Sequence, residues 1–377
     1  MLIEVHMLKN YPPVNLNRDD SGAPKTCFFG GVQRGRISSQ CLKRSWRTSD
    51  VFQSLGSVGI RTRKMPELVA EKLLEMGADP EMVEEAKIKL TGIANKEGKT
   101  SNDGITTQIV FYAESEIAQV AARVKEAMDA DGDLKTFKKR SAKGFDALIK
   151  DAEITPISAD LALFGRMVTS DYFVNIDAAM QVAHAISTHA VNRESDFFTA
   201  MDDLLTASEE TGAGMMGDVD YNSCCYYEYA SIDTDILREN LKNSENRDAL
   251  VEQLIPVLIK AMAFTNPSGK QNTFAGQIMP DMVMIECKQD KIPLSYVNAF
   301  ETPVTTWGNN PQVVKNSVQA FVKHVDCMDD AYELPVAHRA YFAPRFSDIK
   351  PGKCEQSTKL NEMLSAVAEW YKEGHGV

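Results

Sequence analysis

Apolar residues in this chain change their spacing near residue 178, and that change limits the folds open to it. Upstream, over residues 59–175, the spacing is helical. PELVAEKLLEM (66–76) predicts a helix with Pro66 in its first turn and Gly77 at its end. Residues 80–90 and 113–129, rich in Ala, Glu and Lys, predict two more, and GKTSNDG (98–104) reads as a loop by composition. From 178 the period becomes two. In MQVAHAISTHAV, Met180, Val182, His184, Ile186 and Thr188 alternate with Ala183, Ala185 and Ser187, which predicts a strand over 178–190. YNSCCYYEYASI (221–232) is a second strand that can pair with it. The intervening 191–220, ending in GAGMMGD, is too long for a tight turn and reads as a Gly-rich hairpin or loop. LIEVHML (2–8) and PDMVMIECK (280–288) are further strands. Helices are predicted at 245–264, with Pro256 as a kink, and at 357–372, where Leu360, Met363, Leu364, Val367 and Tyr371 share a face. The pattern is α+β with one helical insertion and one extended hairpin, and with no internal repeat.

Charge is as uneven as hydropathy. The chain carries a net charge of -12, yet Gln33–Lys64 holds eight basic residues (Arg34, Arg36, Lys43, Arg44, Arg47, Arg61, Arg63, Lys64) against one acid, Asp50, leaving -19 for the rest. Positive charge confined to one place in an acidic protein suggests a groove aimed at a polyanion. Within it, GGVQRGRISSQCLKRSWR (30–47) joins two glycines, a basic strand, a Ser-Ser helix start and a basic helix. Ser38 or Ser39 can cap that helix, whose first amides would then be anion donors. Lys43 and Arg47 share a helical face with Arg44 beside them. Gly30 and Gly31 permit positive φ or a close backbone approach. Ser, Gln, Lys and Arg together suit phosphate and sugar contacts. A solvated basic helix after a turn is the plainer alternative.

Other chemistries are poorly supported. The seven cysteines form no C-x-x-C pair and read as reduced thiols of a cytoplasmic protein; Cys224 and Cys225 would face opposite sides of a strand, against a shared metal. There is no leader-like segment at the N-terminus and no apolar run near the ~20 residues a membrane span needs. His184 and His189, five apart, fall on opposite faces and read as packed or hydrogen-bonded. Gly269-Lys270 is not a P-loop, because the upstream glycine is missing and Gln271 stands where Ser or Thr should bind magnesium. The polar loop Ser268–Thr273 instead offers Lys270, Gln271 and Asn272 to sugar or phosphate oxygens. Asp19-Asp20 beside Arg18 could hold magnesium for RNA cleavage, or could cap a turn or pair with Arg18 or a neighbouring subunit. Catalytic residues, metal and cofactor are all expected to be absent.

The ordered strings LNRDD (Leu16–Asp20), Lys25, FGG (Phe29–Gly31), RISSQ (Arg36–Gln40), LKR (Leu42–Arg44), GRMVTS (165–170), DAAMQVAHAISTH (177–189), DFFTAMDDL (196–204), YEYASI (227–232), GKQNTFA (269–275) and PDMVMI (280–285) resemble the CasC family, the crRNA-binding backbone subunits of the type I-E CRISPR complex Cascade. They span most of the chain, the last ninety or so residues less distinctly. The resemblance implies an RRM-like (ferredoxin-like) palm at 1–58, 176–190 and 221–377, helical fingers at 59–175 and a thumb at 191–220. It implies a non-catalytic cytoplasmic scaffold of antiviral defence. Its partners would be CRISPR guide RNA, target DNA through guide pairing, further copies arranged head to tail, and other Cascade subunits. The RNA-binding set it implies, with the residues above, is Asn17, Arg18, Lys25, Gly30, Gly31, Ser38, Ser39, Gln40, Lys43, Arg44, Arg47, Arg166, Met167, Phe198, Lys270, Gln271 and Asn272. Met167 and Phe198 would wedge against bases at kinks in the guide, with Phe197 as the alternative to Phe198. Related type III subunits cut RNA with an acidic residue, so a metal-dependent ribonuclease using Asp19 or Asp20 is the second reading. A general single-strand RNA-binding protein is the third. Glu194–Asp220 holds eight acids and no base. Such a thumb would meet a basic patch on a neighbouring copy, around 33–64 or 135–150, with Met215 and Met216 as adaptable packing.

Overall fold

A computed structural model describes residues 1–92, 103–106, 108–140, 149, 157–168, 173–200, 215–308 and 312–377. The loop at 98–102, the basic stretch beyond Arg140 and the hairpin tip at 201–214 therefore lie outside the described residues. Its strands are β1 (Leu2–Asn10), β2 (Thr26–Phe29), β3 (Val32–Ile37), β4 (Ile60–Thr62), β5 (Val110–Tyr112), β6 (Met180–Val182), β7 (Ala185–Ser187), β8 (Glu194–Ala200), β9 (Met215–Tyr221), β10 (Cys225–Asp233), β11 (Met282–Lys288), β12 (Val336–Phe342) and β13 (Glu355–Gln356). The fold is mixed α+β, and the chain divides into two compact units. One comprises Met1–Phe52, Gln181–Asp233 and Ile255–Val377; the other comprises Gln53–Met180 and Thr234–Leu254. The second unit thus takes in 234–254, which the family resemblance had implied to be part of the palm at 221–377.

The first unit is built on a sheet of order β13-β12-β11-β1-β10-β7-β3-β2, with β6 also on β10. β1 is its centre, antiparallel to β10 (Leu2↔Asp233 through Asn10↔Cys225) and to β11 (Leu2↔Lys288 through Leu8↔Met282). Leu2 through Lys9 are all buried, so both faces of β1 are covered. One face carries Leu8 with Tyr227, Tyr229 and Met284, packed under Val318, Phe321 and Val325 of the helix Val313–Tyr332. On the other face Lys9 reaches the end of the helix Arg247–Phe264, donating to the carbonyls of Met262 (2.6 Å) and Thr265 (3.3 Å). That helix contains Pro256, as its sequence predicts. The strand predicted over 178–190 is broken at Ala183-His184 into β6 and β7. Ala183 still donates to Tyr229 O at 3.0 Å, so alignment on β10 survives the break.

Burying both faces of β1 forces its polar residues to find partners, and an ionic network forms around Glu4, His6 and Glu286. Arg339 donates to Glu286 at 2.6 Å and to Asp329 at 2.9 Å; Lys288 contacts Glu4 and lies 3.4 Å from Glu286. Burial alone would push the Glu286 carboxyl up. The His6 ring, 3.6 Å away and too far for a hydrogen bond, outweighs burial together with the charges of Arg339 and Lys288, and the carboxyl is held at about 2. A depressed carboxyl stabilises the fold above its unfolded value and loses that contribution as pH falls toward the folded value. The first unit should therefore lose stability between about pH 4.5 and 2, this one group contributing at most ~1.4 kcal/mol per pH unit. Equilibrium unfolding followed across that range should show Glu286→Gln less stable at neutral pH and less sensitive to acid. An unchanged acid slope in the variant would show that Glu286 is not the linked group.

The second unit is helical, with β4 and β5 as a two-stranded ribbon. Helices Met65–Glu75, Pro80–Leu90 and Glu114–Asp131 bury Val69, Leu73, Ala86, Val120, Ala121 and Val124 in one core. Their ends follow local chemistry: Asp79 caps Pro80–Leu90 by accepting from the amides of Glu81 (3.0 Å) and Met82 (3.1 Å).

Candidate nucleic-acid interface

Residues 30–47 of the basic segment fold as a hairpin followed by a helix in the first unit, whereas its Arg61, Arg63 and Lys64 fall in the second, so the expected single cluster of eight cations is divided. β2 and β3 meet through a two-residue turn, Phe29 opposite Val32, in which Gly30 and Gly31 have φ of 60° and 76°. Positive φ at both central positions is the type I′ geometry that matches strand twist. Gly30 has a second reason to be glycine, since a Cβ there would stand 1.8 Å from Glu301 O. Arg34 is buried and donates to four carbonyls: Phe29 (3.1 Å), Ser187 (3.1 Å), Phe300 (2.7 Å) and Glu301 (3.2 Å). It brackets the hairpin onto the sheet.

The helix after β3, α1 (Ser39–Arg47), buries Leu42 and Trp46 and exposes Gln40 and Arg44. Ser38 is its N-cap, accepting from Cys41 N at 3.3 Å. Asn17 in turn accepts from Ser38 N at 2.9 Å, so the LNRDD segment fixes the start of the helix. Lys25 N donates to Asn17 O (2.8 Å) and Arg36 N to Lys25 O (2.9 Å), tying that segment to β3.

A third segment, Thr265–Lys270, completes the site. Its start is held from beneath by Lys9 and by Tyr11, which donates to Asn266 Oδ1 at 2.7 Å. Lys9 lies 3.8 Å from buried Glu228, and burial drives the lysine down and the carboxyl up. Gly269 presses on the LNRDD segment so closely that a Cβ would lie 2.3 Å from Leu16 O and 2.7 Å from Asn15 O. Between the three segments opens a polar cleft of about 670 Å³, lined by Asn17, Arg18, Asp20, Arg44, Ser45, Thr48, Asn266 and Ser268 among others. Such a wall of arginine, hydroxyl and amide groups suits a phosphodiester and its sugar.

Asp19 is committed to its own loop. Its Oδ1 accepts from Ser21 Oγ (2.7 Å), Ser21 N (2.9 Å) and Ala23 N (3.1 Å), and the Ser21 hydroxyl, with those amides and Arg193, holds the carboxyl below its usual range. Asp20 faces the cleft. Ser38 and Ser39 are buried, so they shape the helix start and present little side chain outward. Lys270 takes a left-handed backbone (φ 52°), Gln271 is tied to Pro267 O at 2.9 Å, and Asn272 is exposed.

Arg166 requires a correction. It was expected to touch RNA, but the residue is buried in the second unit, 6% exposed. It forms a two-pronged pair with Glu116 at 2.7 Å on each arm and donates to Phe111 O (2.8 Å) and Val174 O (2.9 Å). A basic residue in a motif shows charge, not where its partner lies, and Glu116 is fifty positions away. Met167, beside it, is 93% exposed. In the β8–β9 hairpin, Phe198 opposes Gly217 and lies over it, a Cβ there falling 2.8 Å from the ring. Phe197 points the other way and is 62% exposed. Missed by sequence reasoning were Ser45, Thr48 and Asn266 in the cleft, and the pairing of Arg36 with His184, whose Nδ1 lies 3.0 Å from Arg36 Nη1. The i, i+4 relation of Arg44 to Thr48 was a usable signal. His189, by contrast, is packed as expected, accepting from Cys225 N at 3.2 Å.

A mixed sheet carrying a basic hairpin, a capped basic helix and a polar cleft defines a candidate polyanion-binding protein. A sequence model of the CT1975-like protein family matches residues 3–370, and the chain belongs to that family. Among solved structures it resembles a chain of a "CRISPR RNA-guided surveillance complex, pre-nicking", at 26% identity and a TM-score of 0.80, covering 98% of this chain and 99% of that one. It also shares its fold with a chain of a "CRISPR RNA-guided surveillance complex" at 23% identity and a TM-score of 0.70, covering 97% and 100%. No curated protein matches it.

The Arg166 geometry gives a direct expectation. Arg166→Ala strands a buried Glu116 charge and should destabilise the helical unit by about 3–5 kcal/mol. Its affinity for RNA, measured below the melting range, should stay close to wild type. A large loss of affinity in a folded variant would restore Arg166 to the interface.

Proposed function

We propose that the chain is a CasC-type backbone subunit of a type I-E CRISPR complex, a non-catalytic scaffold that grips guide RNA by its phosphates. The observation that carries this reading is the cleft, where Arg18, Arg44, Asn17 and Asn266 from three distant segments line one polar wall. The 26% identical likeness to a chain of an RNA-guided surveillance complex supports it. Strand order β11-β1-β10-β7, with α1 following β1 and a helix between β10 and β11, supports the reading of a ferredoxin-like palm, whose split β-α-β units run in this order. RRM domains stack bases on an open sheet. Here the helix Val313–Tyr332 covers that face, so the grip moves to the sheet margin at β2, β3 and α1. Such a margin offers donors and cations but no base-reading surface, which leaves sequence to be read by pairing between the guide and target DNA. Met167 and Phe197 or Phe198 would meet bases by stacking. The acidic β8–β9 hairpin would serve as the thumb, meeting a basic patch on the next copy in a head-to-tail filament.

Lys43→Ala with Arg47→Ala should weaken binding to RNAs of unrelated sequence about equally, each lost phosphate contact lowering the salt slope by ~0.7. Filter binding over a salt series checks this, and a loss confined to particular sequences would contradict backbone recognition.

The ribonuclease reading has less support, because three donors already occupy Asp19 Oδ1. Labelled RNA incubated with the protein and magnesium should remain intact, and Asp19→Asn and Asp20→Asn should change nothing. Cleavage by wild type that either variant abolishes would replace the scaffold with a nuclease.

A further inference from the structure

The β8–β9 hairpin forms a sheet of its own, and its strands are exposed or half-buried along their length. A two-stranded ribbon that buries so little takes its direction from its base. Seven residues at about 3.3 Å each carry the far ends of β8 and β9 roughly 20 Å out, so a tilt of about 10° at the base displaces them by about 3–4 Å. That base is tied to two walls of the cleft. Val14 and Asn222 exchange backbone hydrogen bonds at 2.8 and 3.0 Å where the chain leaves β9. The next residue, Asn15, is buried, and its Nδ2 donates both to Asp220 O of β9 (2.8 Å) and to Gly22 O of the loop Arg18–Pro24 (2.9 Å). Both neighbours are carbonyls, so only the amide nitrogen suits that position. Asp220 also pairs with Arg193 at 2.5 Å, and Tyr221 donates to Glu194 at 3.0 Å, closing the two strands on each other. Arg18, Asp19 and Gly22 line the cleft. On the other wall, the Tyr221 ring lies 5.6 Å from that of Phe274, in the turn that continues Thr265–Lys270. One carboxamide and one ring contact thus join the hairpin to the segments that a ligand in the cleft would touch.

We propose that Asn15 is a positioning residue that couples the cleft to the hairpin: an RNA strand seated in the cleft fixes the hairpin's direction, and a partner that holds the hairpin tightens the cleft's grip. The proposal rests on the RNA reading above and adds a regulation of that site. A ligand that orders the loop Arg18–Pro24 also orders Gly22 O and, through Asn15, the strand carrying Asp220. The hairpin then has less freedom left to lose when it meets a partner. Coupling of this kind is reciprocal, because the two binding free energies share one cycle. Each copy seated on an RNA therefore prepares its own hairpin for the next contact, and cooperative filling of the strand originates inside the subunit.

The test is hydrogen exchange followed by mass spectrometry on the full chain, with and without a short oligouridylate, where sedimentation shows one copy per strand. In wild type the amides of 194–200 and 215–221 should exchange about fivefold or more slowly once RNA is bound. Asn15→Ala should bind the same RNA within about threefold of wild type, yet lose the hairpin protection while β1 keeps its own. If Asn15→Ala also loses protection in β1, Asn15→Ser takes its place with the same expectation, since a serine keeps a polar donor but cannot reach both carbonyls. Hairpin protection that persists in the folded variant shows that RNA touches the hairpin directly, and overturns the proposal. Binding by wild type with no hairpin protection also overturns it. Wild type that binds no oligouridylate removes the RNA reading itself and the coupling with it, a result that neither of the others resembles.

Discussion

A buried strand cannot carry charge without supplying it with partners, and β1 carries charge on both faces. That constraint organises the first unit. On one side Lys9 donates to Met262 O and Thr265 O and lies 3.8 Å from Glu228, so the end of the helix Arg247–Phe264 is fixed to the centre of the sheet. The Thr265–Lys270 wall of the cleft starts at that fixed point. On the other side Glu4 and His6 share the network that draws in Glu286, Lys288 and Arg339, beneath the helix that closes the face. Breaking either set strands an ion in a low-dielectric interior, which costs far more than an exposed pair returns.

Arg34 applies the same logic at the sheet margin. It is a buried cation satisfied by carbonyl dipoles, and burial lowers its affinity for its proton. Four carbonyls from three chain segments converge on one planar group, an arrangement that a lysine's single ammonium could not reproduce. The result is a basic hairpin whose position is set by hydrogen bonds from below. Arg36, the hairpin's other cation, donates its Nε to Thr26 O at 3.2 Å across the two strands, while Gly30 and Gly31 form the turn through backbone geometry.

Local chemistry was legible in the sequence; long-range partnership was not. The Ser38 cap, the glycine turn, the helices of the second unit and the pairing of 178–190 with 221–232 follow from short patterns, because propensity, capping and period act over a few residues. The cleft depends on Gly269 touching Leu16 and Asn15, a contact across 250 positions that no local pattern encodes. Arg166 and Arg34 look like surface cations by type, and their burial follows only from where Glu116 and the Phe300 carbonyl arrive. The break at Ala183-His184 was hidden for a related reason: alternation continues through it, and only the step from β6 to β7 turns His184 toward Arg36. Ser38 and Ser39 were read correctly as helix-start residues, yet their burial makes them shapers of the site more than contacts to a ligand.

The placement of charge bears on why an acidic protein would bind a polyanion along a margin and nowhere else. At physiological salt, charges separated by more than about 8 Å are largely screened, so the net charge of -12 does little to repel a strand already seated against local cations. Under the proposed reading it would act instead on approach, discouraging nucleic acid from settling on any other face. The acids of β8 and β9 sharpen this selection, since a hairpin bearing Glu194, Asp196, Asp218 and Asp220 repels phosphates and attracts cations. Under the proposed reading, attraction would outweigh the background at the cleft, where Arg18 and Arg44 stand with Asn17 and Asn266. A hairpin bracketed by Arg34 and a helix capped by Ser38 would lose little further ordering entropy if a strand bound beside them, and preorganisation of that kind would let a small contact area hold a flexible ligand.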